Sequence, residues 1–331
     1  MQAQESAAKA HLASHLGRDD KSGARVVLST FAVYFACLAL ATWSLFFLGG
    51  APGALLFTVG TLGLALAQVR AFLVHHDLCH GALFARPWLR MALAPVVGAL
   101  ASTSPSVWSR EHNRHHRDSN KLDRSQDGQT AAWTVRQYRA APRWQRGLYW
   151  LVNQRPVLFL LIPPLYFLGF MRLRARLSEN LVFAAFATAL WFTQAWVPFL
   201  VALFPATWFG FLLFHAQHTF PGVYRRPSET WDFYENAMRG SSILVLPPSR
   251  ALRWFLYGVG VHALHHLSPA VPGFRLEKAL AERPELYAAV PRVSLGQALS
   301  TTKYVLYDED SAQLVTFATA AAPGAHPSGA G

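Results

Sequence analysis

The histidines of this sequence are clustered. It contains 14 histidines among 331 residues, and most of them lie in four short stretches, HHDLCH, HNRHH, HAQH and HALHH. The pattern H-x-x-H-H occurs in two of these stretches, whereas random placement would give about 0.02 copies. Residues at i, i+3 and i+4 lie on one face of a helix. Because neutral imidazole is a common ligand of transition-metal ions, the clusters indicate a metal site.

The candidate ligands are the clustered histidines with helical spacing, namely His76, His80, His112, His115, His116, His218, His262, His265 and His266. This set exceeds the coordination number of one common ion and suits two ions with about four or five protein ligands each. We therefore predict a dinuclear site. No catalytic residue beyond these ligands and no organic-cofactor site is predicted.

The chemistry of an all-imidazole site above an apolar body favours oxidation of a lipid-like substrate over hydrolysis. Iron binds and reduces O2, whereas zinc has no accessible redox state. The metal would perform the difficult hydrogen abstraction, and the protein would hold the substrate chain in a fixed position beside the metal. Four carboxylates are candidates for orienting imidazoles, or equally for surface groups and helix caps: Asp77, Glu111, Asp118 and Asp232.

The composition indicates a membrane protein. The chain is 52% hydrophobic and 15% charged, against about 25% charged in soluble domains. Its net charge of +12 fits basic flanks beside membrane helices, and no basic stripe interleaved with aromatic residues indicates nucleic acid. Two cysteines cannot form a disulfide framework. The polar N-terminus lacks the apolar segment of a signal peptide.

The first two membrane crossings are predicted over residues 26–48 and 55–74. The first is uncharged and about 35 Å long as a helix, enough to span the hydrocarbon core. Arg70 lies near the end of the second, where we expect its side chain to snorkel to the interface. Basic residues in the N-terminal stretch place that end, and hence the histidine clusters, in the cytoplasm. Residues 88–108 are expected to be interfacial or re-entrant.

The number of crossings between the second and last histidine clusters must be even if both share one site. We favour a hairpin of short spans over 181–214, turning near Pro198, with 157–170 dipping into the membrane and out again. An alternative pairs 150–170 with a long helix over 181–205. After His218 no stretch is long and apolar enough to span.

The predicted fold class is an all-α integral membrane protein. It has about four transmembrane helices, interfacial or re-entrant helices, and a cytoplasmic helical cap that bears the dinuclear histidine site. The cap includes a helix near 276–283. We predict a cytoplasmic N-terminal tail over 1–25, one membrane domain over 26–316, and a disordered C-terminal tail over 317–331.

The motifs carry a family resemblance over about residues 70–280. HDLCH, HNRHH and HALHH, with QHTFPGVY, WDFYENAMRGSS and HLSPAVPGFRL, resemble the membrane fatty acid desaturase family, and most closely its acyl-lipid omega-6 (delta-12 type) branch. The resemblance implies two iron ions, O2 as co-substrate, and a cis double bond introduced into a fatty acyl chain of a membrane lipid. By motif position eight of the nine histidines above match the three boxes, and the ninth, His218, matches the additional ligand.

The resemblance also implies partners and leaves alternatives open. Without a His-Pro-Gly-Gly haem motif in the sequence, electrons are expected from a separate ferredoxin or b-type cytochrome. His75 and His215 are extra neighbours of the boxes, so the motif leaves open whether His75 or His76 binds, and we interpret His215 as a hydrogen-bonded core residue. The expected location is a multi-pass bacterial inner membrane.

Two other functions compete with desaturation. One is a hydroxylase or ketolase of the same di-iron superfamily that acts on alkanes or carotenoids. It would use the same site, because it also begins with hydrogen abstraction and then transfers oxygen to the substrate carbon. A metal transporter or sensor would instead place its ligands within the spans, where this sequence has no histidine.

Overall fold

The computed structural model describes residues 2–124 and 132–321, and these residues are mostly helical. In chain order the first helices are α1 (Gln2–Ser14), α2 (Asp20–Phe47), α3 (Gly50–His80), α4 (Pro87–Leu100), α5 (Pro105–Asp118), α6 (Val135–Ala140), α7 (Arg143–Val152), α8 (Ile162–Leu165) and α9 (Met171–Leu173). The later helices are α10 (Leu177–Phe192), α11 (Trp196–His218), α12 (Phe233–Arg239), α13 (Arg250–Leu256), α14 (His262–Leu267), α15 (Gly273–Glu282), α16 (Leu295–Thr301) and α17 (Phe317–Ala321). Two π-helical turns, Val157–Leu161 and Tyr166–Phe170, flank α8, and a 3-10 turn covers Pro284–Tyr287.

Five very short strands complete the described structure. β1 (Trp133–Thr134) pairs parallel with β4 (Leu306–Asp308), which pairs antiparallel with β5 (Gln313–Val315). β2 (Ile243–Val245) pairs parallel with β3 (Arg292–Ser294), with Ile243 opposite Arg292. The β1–β4 and β2–β3 pairs join segments that are distant in sequence.

Helices α2 and α3 form the first helical hairpin. Asp19 caps α2 by accepting hydrogen bonds from the backbone N–H groups of Lys21 and Ser22. A Cβ atom at Gly60 would lie 2.8 Å from the backbone nitrogen of Ala41, so glycine permits the close approach of the two helices here. Both helices are long and apolar enough to cross a membrane, as predicted.

The third long apolar helix is α11, which follows α10 after a turn at 193–195. The predicted turn near Pro198 is therefore wrong by a few residues. Pro198 lies in the first turn of α11, where the missing N–H of proline costs no helical hydrogen bond. The alternative of one long helix over 181–205 is not observed, because a turn at 193–195 separates α10 from α11.

Two further helical pairs are bent. The axes of α4 and α5 differ by 92°, and α7 and the helical segment 157–173 differ by 64°. Among the described residues, three helices can cross a membrane, or up to five if each bent pair counts as one span. The prediction of a helical integral membrane protein with about four spans is confirmed.

A helical cap follows α11 and is built from α12 to α16. α15 confirms the helix predicted near 276–283. Helix α1 packs on this cap, because its buried Ala8 and Leu12 share an apolar cluster with Leu264, Leu276 and Tyr287. The first 25 residues thus include a packed helix.

The predicted C-terminal tail begins inside the packed structure. Phe317 contacts the rings of Tyr138 and Tyr149, and α17 continues to Ala321. Disorder therefore does not begin at residue 317, because an aromatic cluster holds this segment. Residues 322–331 of the predicted tail lie outside the described residues, so the domain limits stay predictions.

Arg70 is buried inside the fold, whereas a snorkelling side chain was predicted. The residue is 4% exposed, and its Nε donates to Oγ1 of Thr30 at 3.0 Å. The guanidinium carbon lies 3.7 Å from the centre of the Trp254 ring. Because α3 continues to His80, Arg70 lies well inside the helix and is held by packing against the cap.

Candidate metal centre

Two groups of four histidines lie at the junction of the membrane helices and the cap. We call them tetrad A, formed by His76, His80, His112 and His265, and tetrad B, formed by His115, His218, His262 and His266. Within each tetrad, one ring nitrogen per residue lies within 4.8 Å of the others. Tetrad A draws on α3, α5 and α14, and tetrad B draws on α5, α11 and α14. Each potential site therefore depends on the tertiary fold.

His116 lies between the tetrads. Its Nε2 is 3.0 Å from Nε2 of His112 and 3.0 Å from Nε2 of His265. Its ring centre lies 4.4 Å from that of His266 in tetrad B. All nine histidines predicted from the sequence are thus brought together, with five around tetrad A and four in tetrad B.

The short contacts between imidazole nitrogens do not form a chain of hydrogen bonds. Nε2 of His112 lies 3.1 Å from Nε2 of His76 and 3.0 Å from Nε2 of His116. One such nitrogen offers either one N–H or one lone pair in the ring plane, so it satisfies only one of these contacts. Two nitrogens bound cis to one first-row ion at about 2.1 Å would lie about 3.0 Å apart. The arrangement therefore fits lone pairs that converge on a cation.

Tetrad B repeats this arrangement. Nε2 of His262 lies 2.9 Å from Nε2 of His218 and 3.0 Å from Nε2 of His266, and Nε2 of His266 lies 3.2 Å from that of His115. In tetrad A the buried Nε2 of His80 has no hydrogen-bond partner among the described residues. These nitrogens are the groups that two transition-metal ions would satisfy.

Burial keeps the imidazoles of α14 ready to bind a cation. Burial lowers the pKa of His262, His265 and His266 well below the usual value, and neighbouring histidines lower it further. Each ring is therefore neutral at neutral pH and retains a lone pair.

The position of α5 is fixed at its first turn by a carboxylate from α10. Glu179 accepts hydrogen bonds from the side chain of Ser104 and from the backbone N–H of Ser106, the latter at 3.0 Å. Further along α5, the indole ring of Trp108 stacks on the ring of His112 with centres 4.0 Å apart. It also meets the ring of His76 edge to face. These contacts limit rotation of the imidazoles of tetrad A.

His218 is oriented by a buried polar network. Its Nδ1 donates to the backbone oxygen of Gly240 at 3.0 Å, which leaves Nε2 as the free acceptor. Nδ2 of Asn120 also donates to this oxygen, at 2.9 Å, and to Oδ1 of Asn236 at 2.8 Å. A side chain at Gly240 would collide with both amides, so this position requires glycine.

Asp77 is the one carboxylate among the four sequence candidates that contacts a histidine of the tetrads. It accepts a hydrogen bond from the backbone N–H of Gly273 at 2.7 Å, and its Oδ1 lies 3.3 Å from Nδ1 of His76. Asp77 therefore links α3 to the start of α15. Glu111 and Asp118 pair with arginine and lysine side chains, and Asp232 caps α12.

We expect Asp77→Asn to weaken metal binding by about 10–100-fold, because asparagine has one side-chain oxygen and cannot face both Nδ1 of His76 and the N–H of Gly273 with an acceptor. Metal retained after dialysis against graded chelator measures the effect. Asp232→Asn is the matched control, since the cap of α12 contacts no imidazole of either tetrad. Equal metal retention by Asp77→Asn and the wild type would contradict the positioning role.

The two extra histidines lie outside the tetrads. Nε2 of His75 faces Sγ of Cys79 at 3.5 Å, and its ring packs against Trp108. Nε2 of His215 lies 3.3 Å from the backbone oxygen of Thr301. His76 rather than His75 therefore points to the metal centre, and His215 has the hydrogen bond expected of a core histidine.

An apolar cavity of about 510 Å³ extends from tetrad A into the membrane part of the fold. His76, His112 and His265 form part of its wall. Along α11 the wall runs from Leu203 to Gln217, about 21 Å of helix. Most of the remaining wall is apolar and includes Phe72, Leu73, Phe211 and Phe214. The cavity can hold a long apolar chain with one segment beside the histidines.

Comparison with known proteins gives the family. The sequence profile of the family described as "Fatty acid desaturase" matches residues 51–295, which include all nine histidines. The chain belongs to the fatty acid desaturase family. It is thus an oxidoreductase of lipid metabolism, with histidine clusters arranged as a di-metal site and apolar helices that embed it in a membrane.

Individual relatives agree with this family. The desaturase is 32% identical to a "Fatty acid desaturase" of Bacillus subtilis over 305 residues, which cover 88% of this chain and 84% of the relative. It is also 29% identical to an "sn-1 oleoyl-lipid 12-desaturase" of Synechocystis over 64% of each chain. A protein with the same description from Picosynechococcus is 26% identical over 86% of this chain and 80% of its own length.

Sequence reasoning missed several groups that position the tetrads. Trp108 precedes His112 by one helical turn, a spacing that brings two side chains together, so this partner was accessible from the sequence. Gly240, Asn120 and Gly273 carried no such signal, because their contacts with the metal centre are made across long stretches of chain.

Proposed function

We propose that this enzyme introduces a cis double bond of the omega-6 (delta-12) type into a fatty acyl chain of a membrane lipid. The observation that supports this most strongly is the pair of histidine tetrads at the wall of a long apolar cavity. The two cyanobacterial relatives are described as acting on oleoyl-lipid at position 12, which supports the same position for this chain.

In this proposal, two iron ions are held by the nine histidines His76, His80, His112, His115, His116, His218, His262, His265 and His266. When bound, the iron pair supplies the oxidation by O2 that removes two hydrogens from adjacent methylenes, with two further electrons from a donor completing the reduction of O2 to water. The all-imidazole ligand set is compatible with iron, and oxidation by O2 requires a redox-active ion, which excludes zinc.

The protein's own residues hold the acyl chain and exclude water. The chain would lie in the cavity between α3 and α11, with the reacting methylenes beside His76, His112 and His265. Apolar walls such as Phe72 and Phe214 favour an extended hydrocarbon and exclude water from the reacting carbons. Trp108 and Asp77 keep the imidazoles in place while the substrate enters and leaves.

We also propose a membrane location and an electron donor for this enzyme. Basic residues near the centre, including Arg110, Arg114 and Arg117 on α5, support a cytoplasmic position for the histidines by the positive-inside rule. We place the enzyme in a bacterial inner membrane. Its electrons would come from a separate ferredoxin or b-type cytochrome.

Expression in a bacterium that makes only monounsaturated lipids tests the proposal. We expect diunsaturated C16 or C18 chains, detected by gas chromatography with the double-bond position found by mass spectrometry. Hydroxy or keto products would support the hydroxylase or ketolase instead, and a double bond elsewhere would rule out the delta-12 type. An unchanged profile from iron-loaded protein with a working electron donor would refute desaturation of these lipids.

A further inference from the structure

Two histidines outside the metal centre form a third group of potential ligands. His11 lies in the last turn of α1, His15 directly follows the helix, and Glu282 lies at the end of α15. One ring nitrogen from each histidine and one carboxylate oxygen of Glu282 lie within 4.8 Å of one another. None of these residues belongs to the desaturase motifs, so the metal centre does not account for them.

The contact between His15 and Glu282 is not an ordinary hydrogen bond. Nε2 of His15 lies 2.9 Å from Oε2 of Glu282, but an N–H on this nitrogen would not point at the oxygen. The nitrogen is buried and has no hydrogen-bond partner among the described residues, and His15 as a whole is 7% exposed. A buried polar atom without a partner destabilises the folded protein. A cation bound to both Nε2 of His15 and Oε2 of Glu282 would stabilise this arrangement of two lone pairs.

The ring of His11 is held as in many metal-binding histidines. Its Nε2 lies 3.0 Å from the backbone oxygen of Ala279 and donates a hydrogen bond to it. A histidine that donates one N–H to a backbone carbonyl has a fixed tautomer, and its other nitrogen carries a lone pair. In this tautomer the lone pair of the His11 ring is on Nδ1.

We propose that His11, His15 and Glu282 bind one divalent transition-metal ion of the zinc type. Two imidazoles and one carboxylate are a known zinc donor set, with a fourth position left for water. The side chain of Glu282 is 44% exposed, so the ion can enter from solvent. Its other oxygen lies 3.6 Å from Nζ of Lys278, a contact that competes with the ion for the carboxylate.

The ion clamps α1 to the cap that carries the metal centre. The buried Leu12 of α1 packs in the same apolar cluster as Leu264 of α14, next to His265. Arg275 donates from its guanidinium to the backbone oxygen of His15 at 3.1 Å. Zinc therefore links two helices that otherwise meet through one apolar face and few polar contacts.

Amide hydrogen exchange of α1 tests this site on the full-length, iron-loaded protein in detergent, with Zn²⁺ as the probe. We expect zinc to slow exchange in α1 and α15 of the wild type. In His15→Gln and Glu282→Gln the zinc concentration for half-maximal protection should rise at least about tenfold. Lys278→Gln is the control, and it should respond to zinc at the wild-type concentration or a lower one.

The same experiment separates this site from the iron centre. Zinc that only displaces iron would change exchange in α5 and α14 and lower the iron content equally in all variants, without protecting α1. That result, or equal protection of α1 in the wild type and Glu282→Gln, would overturn the proposal and leave a simple ion pair between His15 and Glu282. Glu282→Gln decides the matter if His15→Gln folds poorly, because it changes one atom of a partly exposed side chain.

Discussion

His265→Ala is expected to reduce desaturation at least about a hundredfold and to lower the iron content of the purified protein. Nε2 of His265 lies within tetrad A and 3.0 Å from Nε2 of His116, so the substitution removes a proposed metal ligand at the wall of the cavity. Alanine favours helix, so α14 and membrane insertion should persist. Fatty-acid analysis of the host and iron per chain measure the two effects.

Two histidines of α11 provide a matched control for this class of variant. His215 and His218 lie one turn apart, His218 buried and His215 partly buried, but only His218 belongs to a tetrad. His218→Gln should lose iron from tetrad B, whereas His215→Gln should retain the wild-type iron content, because glutamine can still donate to the oxygen of Thr301. Full activity in His265→Ala, or equal iron loss in both α11 variants, would place the metal centre elsewhere.

Gly210→Phe is expected to reduce turnover at least about tenfold while leaving iron bound. Gly210 on α11 lines the cavity, and a Cβ atom built there meets no atom within 4 Å. A phenyl ring would therefore occupy space that we propose for the acyl chain, and even one methylene in an apolar site changes rates by about 10–200-fold. Turnover and iron per chain are measured on the same preparation.

The control for this variant is Gly147→Phe on α7. A Cβ atom at Gly147 also meets nothing within 4 Å, but the residue is exposed and does not line the cavity. The series Gly210→Ala, Leu and Phe should lower turnover in order of size. Equal activity across this series would mean that the acyl chain does not occupy the cavity beside α11.

The sequence predicted the parts of the fold that depend on local pattern. Helical spacing of histidines indicated which side chains share one helical face, and long apolar runs located α2 and α3. Both signals are contained within about one helix, so they need no knowledge of the rest of the chain.

Features that depend on distant contacts were not predictable. Arg70 was expected at the interface, but the cap residue Trp254 supplies its partner inside the fold. The link from Asp77 to the N–H of Gly273 joins residues almost two hundred positions apart. Likewise, the orientation of His218 depends on Gly240, whose oxygen also accepts from Asn120. Such contacts arise only when the membrane helices and the cap come together.

We propose that the nine histidines hold two iron ions beside the acyl cavity. Iron analysis combined with X-ray absorption at the iron edge on the purified, active protein tests this assignment. We expect two irons per chain, each bound mainly by imidazole nitrogen at about 2.1 Å, with both irons depleted in a His265→Ala and His218→Gln double variant. One iron per chain, sulfur ligation, or unchanged iron in the double variant would contradict it.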